Sequence, residues 1–515
     1  MYLGAPILWA TLLAPLLLAL VGAPLRDDRG RGYRYIVYTG GLLLLLPAIL
    51  VLYESNTGKL AGGLIDPLVI DLSEYGIGKF MLVIDGLSSP VVVGISIVTS
   101  LVSFYSVRYM EHRIEEMRSE GEKVPGLPVY YLLYVGFSVS MLGMAYSSNL
   151  IEFFIFLELS LLTSFALIAY YGYGDRRKIS LLYFIWTHIA GALFLAGTLY
   201  YGLNRGTFDV VVEIAGVPGY IAPSPLYPYI DLAVAVIVIG LFVKMAVFGV
   251  HMWLPYAHAE APTPVSALLS PNLIGIAGYA LARFVYPLFP GIIEGYKALL
   301  LTLALVTIIY GGLVALRQVD FKRFLAYSSV SQMGYMLLGL ATFTSFGIGG
   351  AMLHYLSHAI GKAVLFMVAG VFITELGTRN IREMGGLARS YPLIAAVSLL
   401  GFMHLVGVPP AVGMWSEVLI VYGVFSGLQV DNYILWGVTL LLILAFMVTA
   451  AYSFLTMRRI FFGQPRTRRE ESVDLFKASV IMVGALGIFL FIAIGPLSEP
   501  LRVASDFLAS IFGGG

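Results

Sequence analysis

The chain has 515 residues, of which 59% are hydrophobic and 12% are charged, and its mean hydropathy is +0.89. A soluble protein carries about twice that charged fraction, so the composition indicates an integral membrane protein with little mass outside the bilayer. The net charge of +1 gives no indication of nucleic-acid binding, and the lack of cysteine excludes thiolate-bound iron–sulfur clusters, disulfides and attached c-type haem.

Apolar stretches of about 20 residues, each long enough to cross a bilayer, recur from one end of the chain to the other. No basic segment precedes the first of them, so we expect it to be a membrane span and not a cleaved signal peptide. The predicted fold is an all-α, multi-pass membrane protein. The stretches predict about 14 membrane spans, at residues 7–25, 33–53, 85–107, 129–147, 149–171, 180–203, 231–250, 264–286, 296–317, 325–343, 347–375, 391–425, 434–457 and 476–498.

The basic residues divide unevenly between the two sides of these predicted spans. Of the 31 lysines and arginines, 23 are assigned to one side, among them Lys322 and Lys477, and six to the other, among them Arg283. Only Lys244 and Lys362 are left in the membrane interior. Because basic loops stay in the cytoplasm, this asymmetry predicts that both termini lie on the outer face.

Four ionisable side chains stand out within the predicted spans, namely Glu158, Lys244, Lys362 and Glu417. A charge near the centre of a bilayer costs at least about 2.5–3.5 kcal/mol, so each of the four is a candidate for ion translocation. Three of them also have a structural interpretation. Lys244 can snorkel from the end of its span, Glu158 can form a static ion pair between helices, and Glu417 can face a wet cavity beside a Pro-Pro break.

The span at 347–375 carries a stripe of titratable groups. His354, His358 and Lys362 are spaced i, i+4, i+8 and therefore share one helix face. The stripe is about 12 Å long and histidine titrates near neutral pH, which favours proton transfer. Packing between helices is the structural alternative for either histidine. For the isolated His188 and His404 we favour that structural interpretation.

Two segments, 251–264 and 407–415, resemble interrupted helices because proline and glycine fall within apolar runs. Interruptions at corresponding places in two halves are typical of a transporter ion site. Lys244 precedes the first break, and Glu417 follows the second. A Glu158–Lys244 pair would keep both groups charged, and its separation would let the lysine release a proton.

Two histidines, His251 and His258, belong to the first break and are further candidates for proton relay. Together with Glu260 they also suggest a metal site. The intervening prolines and the lack of an acidic cluster argue against that interpretation, so we predict no metal. The sequence contains no nucleotide-binding motif in a suitable context.

The segment KMAVFGVHMWLPYAHAEAPTPVSALL (244–269) resembles the signature of the antiporter-like subunits of respiratory complex I, membrane-bound hydrogenases and multisubunit Na+/H+ antiporters. The resemblance continues over most of the chain in DFKRFLAYSSVSQMGYMLLG, HAIGKAVLF, GVPPAVGMWSEVLI and AYSFLTMRRIFFG. It implies 14 core helices, with two inverted five-helix repeats, discontinuous helices 7 and 12, and no cofactor in this chain. The implied division is 1–128 for helices 1–3, 129–290 for helices 4–8, 291–465 for helices 9–13, and 466–515 for helix 14.

The resemblance also assigns roles to individual residues. Glu158 matches the family's helix 5 glutamate, and Lys244 matches the helix 7 lysine that pairs with it. His358 and Lys362 match the helix 11 motif H-A-x-x-K-A. Glu417 matches a charged position of helix 12 that is a glutamate in the central pumping subunit of complex I.

The sequence departs from the family pattern at three points. Gly275 stands where the family has a helix 8 lysine, which predicts that water near Ser270 and Asn272, or a histidine, replaces that link. Leu157 replaces the usual tryptophan before the helix 5 glutamate. The chain also ends at Gly515 without the long lateral helix of the distal complex I subunit.

The resemblance implies a subunit that translocates H+ or Na+ in the plasma membrane of a prokaryote, within a complex I-like oxidoreductase. Its expected partners are lipid, further antiporter-like and small helical membrane subunits, and a peripheral redox arm with iron–sulfur clusters. Electron transfer in that arm would act on the Glu158–Lys244 pair. Two alternatives stay open: a subunit of a multisubunit Na+/H+ antiporter without a redox partner, and a structural spacer whose relay is interrupted at Gly275.

Overall fold

The computed structural model describes residues 1–23, 31–428, 432–464 and 471–513. The helices are α1 (Ile7–Gly22), α2 (Arg31–Asn56), α3 (Ser89–Ser119), α4 (Leu127–Tyr146), α5 (Leu150–Tyr171), α6 (Arg176–Arg205), α7 (Ile230–Met245), α8 (Trp253–Glu260), α9 (Thr263–Leu288), α10 (Pro290–Gly295), α11 (Lys297–Arg317), α12 (Phe321–Leu340), α13 (Ser345–Leu376), α14 (Pro392–Val406), α15 (Gly413–Gly427), α16 (Asn432–Phe461), α17 (Leu475–Ile492) and α18 (Gly495–Ser510). Four 3₁₀ turns lie at Lys59–Gly62, Ser73–Tyr75, Ile381–Glu383 and Leu387–Arg389.

Ten of the described helices are long and apolar enough to cross a membrane, and α1 and α14 are shorter apolar helices. This confirms the prediction of an all-α, multi-pass membrane protein. The predicted span 391–425 divides into α14 and α15, and the predicted span 476–498 ends earlier, at Ile492, before the separate helix α18. The count of 14 spans stays a prediction.

The second predicted interruption, 407–415, lies between α14 and α15, whereas the first begins earlier than the predicted 251–264, and that segment contains the short helix α8. Helix α7 ends where Ala246 adopts a left-handed conformation (φ 55°), and α9 begins beyond Pro262 with Pro264 in its first turn. Helix α14 ends at Gly407, whose φ of 68° is readily adopted only by glycine, and the Pro409–Pro410 pair follows. Helix α9 is itself irregular, with π-helical turns at Leu269–Leu273 and Leu281–Val285.

The short strands form three antiparallel hairpin-like pairs outside the helices. Both described ends of the chain lie beside them: the Met1 amino group donates to the Gly63 carbonyl (2.7 Å), and Phe507 of α18 stacks on Tyr220. We call this side the termini face, and the opposite side, with residues 120–126, 172–175, 318–320 and 377–391, the basic face. The strand pairs are β1 (Leu64–Ile65) with β4 (Val83–Ile84), β2 (Ile70–Leu72) with β3 (Gly78–Phe80), and β5 (Val211–Ile214) with β6 (Val217–Tyr220).

Helices α3, α9 and α13 lie at the centre of the bundle and are almost wholly enclosed, whereas fewer than half of the residues in the apolar stretches of α2, α6 and α16 are buried. Small residues bring the central helices together: Gly94 of α3 packs against Tyr355 and Ala359 of α13. The Tyr105 hydroxyl donates to the Met367 carbonyl (2.8 Å) and fixes the register of the same pair. This core encloses the histidine and lysine stripe of α13.

Four basic residues that the sequence assigns to the flanking sides, namely Arg113, Arg283, Lys322 and Lys477, are buried in the protein. Lys477 lies 2.8 Å from Glu375, and Arg283 forms a two-bond fork with Asp85 (2.5 and 2.7 Å). Hydropathy marks where a helix ends but not whether a residue near that end points inward. Five arginines counted on the basic side lie outside the described residues, namely Arg26, Arg29, Arg466, Arg468 and Arg469.

Candidate functional site

Glu158 lies in the middle of α5 and faces α6. Its Oε2 is 2.9 Å from Nδ1 of His188, while its Oε1 has no hydrogen-bond partner among the described residues. Gly191, three residues after His188, leaves the room for Oε1, because a Cβ at that position would overlap it. The sequence interpretation of His188 as a structural residue therefore missed its contact with Glu158.

Lys244 lies in the last turn of α7 and is 3% exposed. Its Nζ has no hydrogen-bond partner among the described residues, and no carboxylate among them lies within 4 Å of it. The Trp253 indole donates to the Val243 carbonyl (2.8 Å) and folds α8 back over this end of α7. Glu158 remains within electrostatic range of Lys244. In this structure Glu158 thus contacts His188, and it does not form the predicted contact with Lys244.

The stripe on α13 is fully buried. Lys362 donates to the Leu325 carbonyl (2.9 Å) and to the Ser328 hydroxyl, both on α12. Neither ring nitrogen of His358 has a hydrogen-bond partner among the described residues. His354 has one partner, since its Nδ1 is 3.3 Å from the Ser416 hydroxyl.

The second break brings Glu417 to the end of this stripe. Glu417 is 6% exposed and follows Ser416, the contact of His354, in α15. Its carboxylate lies against Gly407, where a Cβ would overlap Oε2, and its Oε1 has no partner in the described part of the chain. Gly407 thus leaves room for the Glu417 carboxylate, as Gly191 does for the carboxylate of Glu158.

An aromatic ring packs against Gly275, where the sequence predicts that water near Ser270 and Asn272, or a histidine, replaces the family's lysine. The aromatic ring of Tyr355 occupies the space where a side chain of residue 275 would lie. A Cβ on Gly275 would overlap that ring. The Tyr355 hydroxyl donates to the Asn272 carbonyl (3.0 Å), and the Asn272 amide is buried without a described partner. Ser270 is 2.6 Å from the Ser329 hydroxyl. What carries a proton past this point stays a prediction.

The two histidines of the first break occupy different surroundings. His251 lies among the rings of Phe248, Tyr310 and Tyr327, whereas His258 stacks on Phe366 of α13 (5.1 Å between ring centres). Both ring nitrogens of each histidine are unpartnered among the described residues. His258 therefore packs against the helix that carries the α13 stripe, and His251 does not.

These groups have the chemistry that proton transfer requires. Buried polar groups of purely structural value are normally paired, yet the histidine, lysine and glutamate atoms described above keep free acceptor or donor positions. An imidazole with both nitrogens free can accept a proton on one side and release one on the other.

A Gly191→Ala variant is expected to break the Glu158–His188 hydrogen bond, because the new methyl group would occupy the position of Oε1. Translocation by the assembled complex should fall on the order of 10- to 100-fold, as displacing a reacting group by about 1 Å does. Ion uptake into proteoliposomes measures it. Gly437→Ala is the control, since nothing lies within 4 Å of a Cβ there and alanine favours a helix. Equal rates of ion uptake in Gly191→Ala and Gly437→Ala would contradict a role for the Glu158–His188 contact.

Residues 147–457 match the family described as NADH:quinone oxidoreductase/Mrp antiporter, TM, and residues 78–118 match NADH-Ubiquinone oxidoreductase (complex I), chain 5 N-terminus. The chain is 32% identical over 424 residues to F(420)H(2) dehydrogenase subunit M of Methanosarcina mazei, which covers 80% of each protein. It is 31% identical over 478 residues to a Na(+)/H(+) antiporter subunit of Alkalihalophilus pseudofirmus, which covers 88% of this chain and 56% of that one.

The fold agrees with these relatives. A chain in the structure of respiratory complex I from Thermus thermophilus with bound NADH superposes with a TM-score of 0.81, covering 98% of this chain and 100% of that one at 22% identity. The first family match alone extends over more than half of the chain. The chain therefore belongs to the antiporter-like NADH:quinone oxidoreductase/Mrp antiporter transmembrane family.

Proposed function

We propose that the chain translocates protons as an antiporter-like membrane subunit of a complex I-like oxidoreductase, along a buried axis of Glu158, Lys244, His358, Lys362 and Glu417. The observation that carries the proposal is that four of these five side chains keep an ionisable atom without a described hydrogen-bond partner inside an apolar bundle. Such groups are expensive in a membrane and are typical of proton relays. The redox chemistry belongs to partner subunits, including an arm with iron–sulfur clusters, and no cofactor binds to this chain.

The geometry supports a switch at Glu158. In the described state its carboxylate holds His188, and the Lys244 ammonium has no carboxylate in contact. A rotation of Glu158 toward Lys244 would stabilise the charged lysine, and its return to His188 would favour proton release from the lysine. A conformational change in a partner subunit needs only to change the relative populations of two Glu158 rotamers, one at His188 and one at Lys244.

Two inverted repeats are supported by matching features on opposite faces. Asn149 caps α5 and forms an antiparallel bridge with Asp209 near the termini face, while Asp320 caps α12 and forms the same bridge with Asn380 near the basic face. The interrupted pairs α7–α8 and α14–α15 follow these bridges in each half. This supports the division into repeats at 129–290 and 291–465.

For the orientation, we place the basic face in the cytoplasm and both chain ends outside, in the plasma membrane of a prokaryote. The excess of lysine and arginine on the basic face supports this placement. Labelling of a single cysteine introduced at Gly4 by a membrane-impermeant reagent in intact cells tests it. Labelling only after lysis would reverse the orientation.

The alternative is a subunit of a multisubunit Na+/H+ antiporter, and the similarity to the antiporter of Alkalihalophilus pseudofirmus supports it. The alignment with F(420)H(2) dehydrogenase subunit M includes 80% of this chain and 80% of that protein. The alignment with the antiporter subunit includes 88% of this chain but only 56% of that protein. Equal coverage favours the oxidoreductase. Purification with native partners decides between them: co-purifying iron–sulfur subunits support the oxidoreductase, and only membrane subunits with sodium-dependent exchange support the antiporter.

A Lys362→Met variant tests translocation itself. The methionine keeps the length of the side chain but holds no proton, so ion uptake into proteoliposomes with the assembled complex should fall by on the order of 100-fold. Lys297→Met is the matched control, since that lysine is half-buried and donates to a single carbonyl, that of Gly427 (2.8 Å). Unimpaired uptake in Lys362→Met would favour a structural spacer.

A further inference from the structure

Lys322 is a buried lysine that the proposed axis does not include. It is the second residue of α12, and its side chain is wholly enclosed, whereas its neighbour Arg323 is exposed. The reason is local: Asp320 caps the helix by accepting the backbone N–H groups of Lys322 (2.9 Å) and Arg323 (3.1 Å). The cap starts the helix so that one basic side chain points inward and the next points outward.

The Lys322 ammonium lies at the C-terminal end of α8. It donates to the Ala261 carbonyl, lies 3.5 Å from the Ala259 carbonyl, and is 5.7 Å from the ring centre of Tyr173. No carboxylate among the described residues lies within 4 Å of it. A cation at this position interacts favourably with the last carbonyl groups of a helix.

The other charged groups around Lys322 lead toward the basic face. Arg379 engages both neighbouring carboxylates, with Nε 2.7 Å from Asp320 and Nη2 3.8 Å from Glu260, and it donates to the Ala259 carbonyl. These three side chains keep between 14% and 31% of their surface exposed. Arg113 of α3 is the remaining charge within electrostatic range of the lysine. Lys322 is therefore the first buried ionisable group behind a partly exposed charged cluster.

On its inner side Lys322 approaches the α13 stripe through His258. Ala259 and Ala261, whose carbonyls accept from the lysine, lie one and three residues after His258 in the chain. The His258 ring stacks on Phe366, one helical turn beyond Lys362, and both its nitrogens are free of described partners. His258 is within electrostatic range of both lysines.

The spacing along α12 agrees with this placement. Lys362 binds Leu325 and Ser328, which lie three and six residues beyond Lys322. At the helical rise, these residues are roughly 4.5 and 9 Å further along the same axis. The two lysines therefore contact groups near the same end of α12, and His258 lies within electrostatic range of both.

We propose that Lys322 and His258 form the branch by which protons enter the buried axis from the basic face. The inference rests on the function proposed above. A proton passes from the Lys322 ammonium to one nitrogen of neutral His258, and the resulting imidazolium gives the proton on its other nitrogen to neutral Lys362. Lys322, left as an amine, takes a new proton from solvent beside Arg379, Glu260 and Asp320.

A Lys322→Arg variant separates this role from that of a helix cap. Arginine keeps the positive charge and the donors that satisfy the α8 carbonyls, but it does not release its proton in a protein. In the complete complex, assembly yield and thermal stability should stay near those of the wild type, while proton uptake into proteoliposomes falls at least about tenfold. Arg323→Met is the control, and a full rate of uptake in Lys322→Arg would overturn the inference.

His258→Phe gives a second test that does not depend on fitting an arginine. The phenyl ring keeps the stacking on Phe366 but carries no proton, so uptake should fall as in Lys322→Arg, and a wild-type rate would overturn the branch. Comparison with Lys362→Met distinguishes failure of the Lys322–His258 branch from failure of the proposed translocation function. Loss in Lys362→Met with full uptake in Lys322→Arg overturns the branch alone, and full uptake in all three variants overturns the proposed function as well.

Discussion

A Glu158→Gln variant is expected to assemble normally and to lose ion translocation on the order of 100-fold. Glutamine matches the size of glutamate and can still bond His188, so the packing between α5 and α6 is kept. It holds no negative charge, however, and can no longer stabilise the charged form of Lys244. The measurement is proton uptake by the complex in proteoliposomes, followed with a pH-sensitive dye while the partner reaction proceeds.

Glu152→Gln is the matched control on the same helix. Glu152 is buried, whereas the Glu158 side chain is 18% exposed. The Glu152 Oε2 accepts the Ser148 backbone N–H (2.9 Å) near the start of α5, and a glutamine oxygen can accept the same bond. We expect translocation close to the wild-type rate. Wild-type translocation in Glu158→Gln would remove this residue from the mechanism, and equal losses in the two variants would point to a general defect in α5.

The second large effect concerns stability. Arg283→Met is expected to lower the free energy of unfolding by about 3–5 kcal/mol, because it leaves Asp85 buried without its partner. The fork has further support, since Arg283 also donates to the hydroxyls of Tyr279 (2.8 Å) and Tyr220 (3.0 Å). It ties α9 to the start of α3 and to β6. Thermal unfolding in detergent measures the loss.

Two comparisons check the origin of that loss. Arg502→Met removes an exposed arginine that pairs with Asp506 on the same face and should change stability by less than about 0.5 kcal/mol. The double variant Asp85→Asn, Arg283→Met should be less destabilised than the sum of the two single variants, because no uncompensated charge remains. Additive losses would show that the ion pair is not the source.

The same pair predicts a dependence of stability on pH. Burial alone would raise the pKa of Asp85, but the charge and hydrogen bonds of Arg283 outweigh burial and hold that pKa below its ordinary value. A carboxyl group with a lowered pKa stabilises the fold at neutral pH. That contribution is lost as the pH falls through the folded-state pKa.

Several residues of the proposed axis could be found in the sequence because each is an ionisable residue among apolar neighbours. Glu158, Lys362 and Glu417 are polar residues in spans that would otherwise be continuous, and the breaks carry their own prolines and glycines. The i, i+4 spacing of His354 and His358 also follows from helix geometry alone. These features are local, so the order of residues contains them.

The contacts of those residues could not be found in this way. Glu158 and His188 are 30 positions apart and nothing in the sequence indicates that they meet, and the role of Gly191 follows only from the carboxylate that packs on it. Lys322 lies two residues after an aspartate and directly before an arginine, which is the pattern of a loop boundary. Its burial depends on the end of α8, 61 residues earlier in the chain.

The sequence by itself determined the membrane class, the helical fold, the two interruptions and most of the buried ionisable groups, because hydropathy and helix periodicity are set by neighbouring residues. Only the tertiary structure decided that Glu158 bonds His188 and not Lys244, that Tyr355 fills the space beside Gly275, and that Lys322 is enclosed. Each of these results depends on how helices that are far apart in the chain pack together. In a bundle this apolar, packing and the pairing of a few polar atoms decide that arrangement.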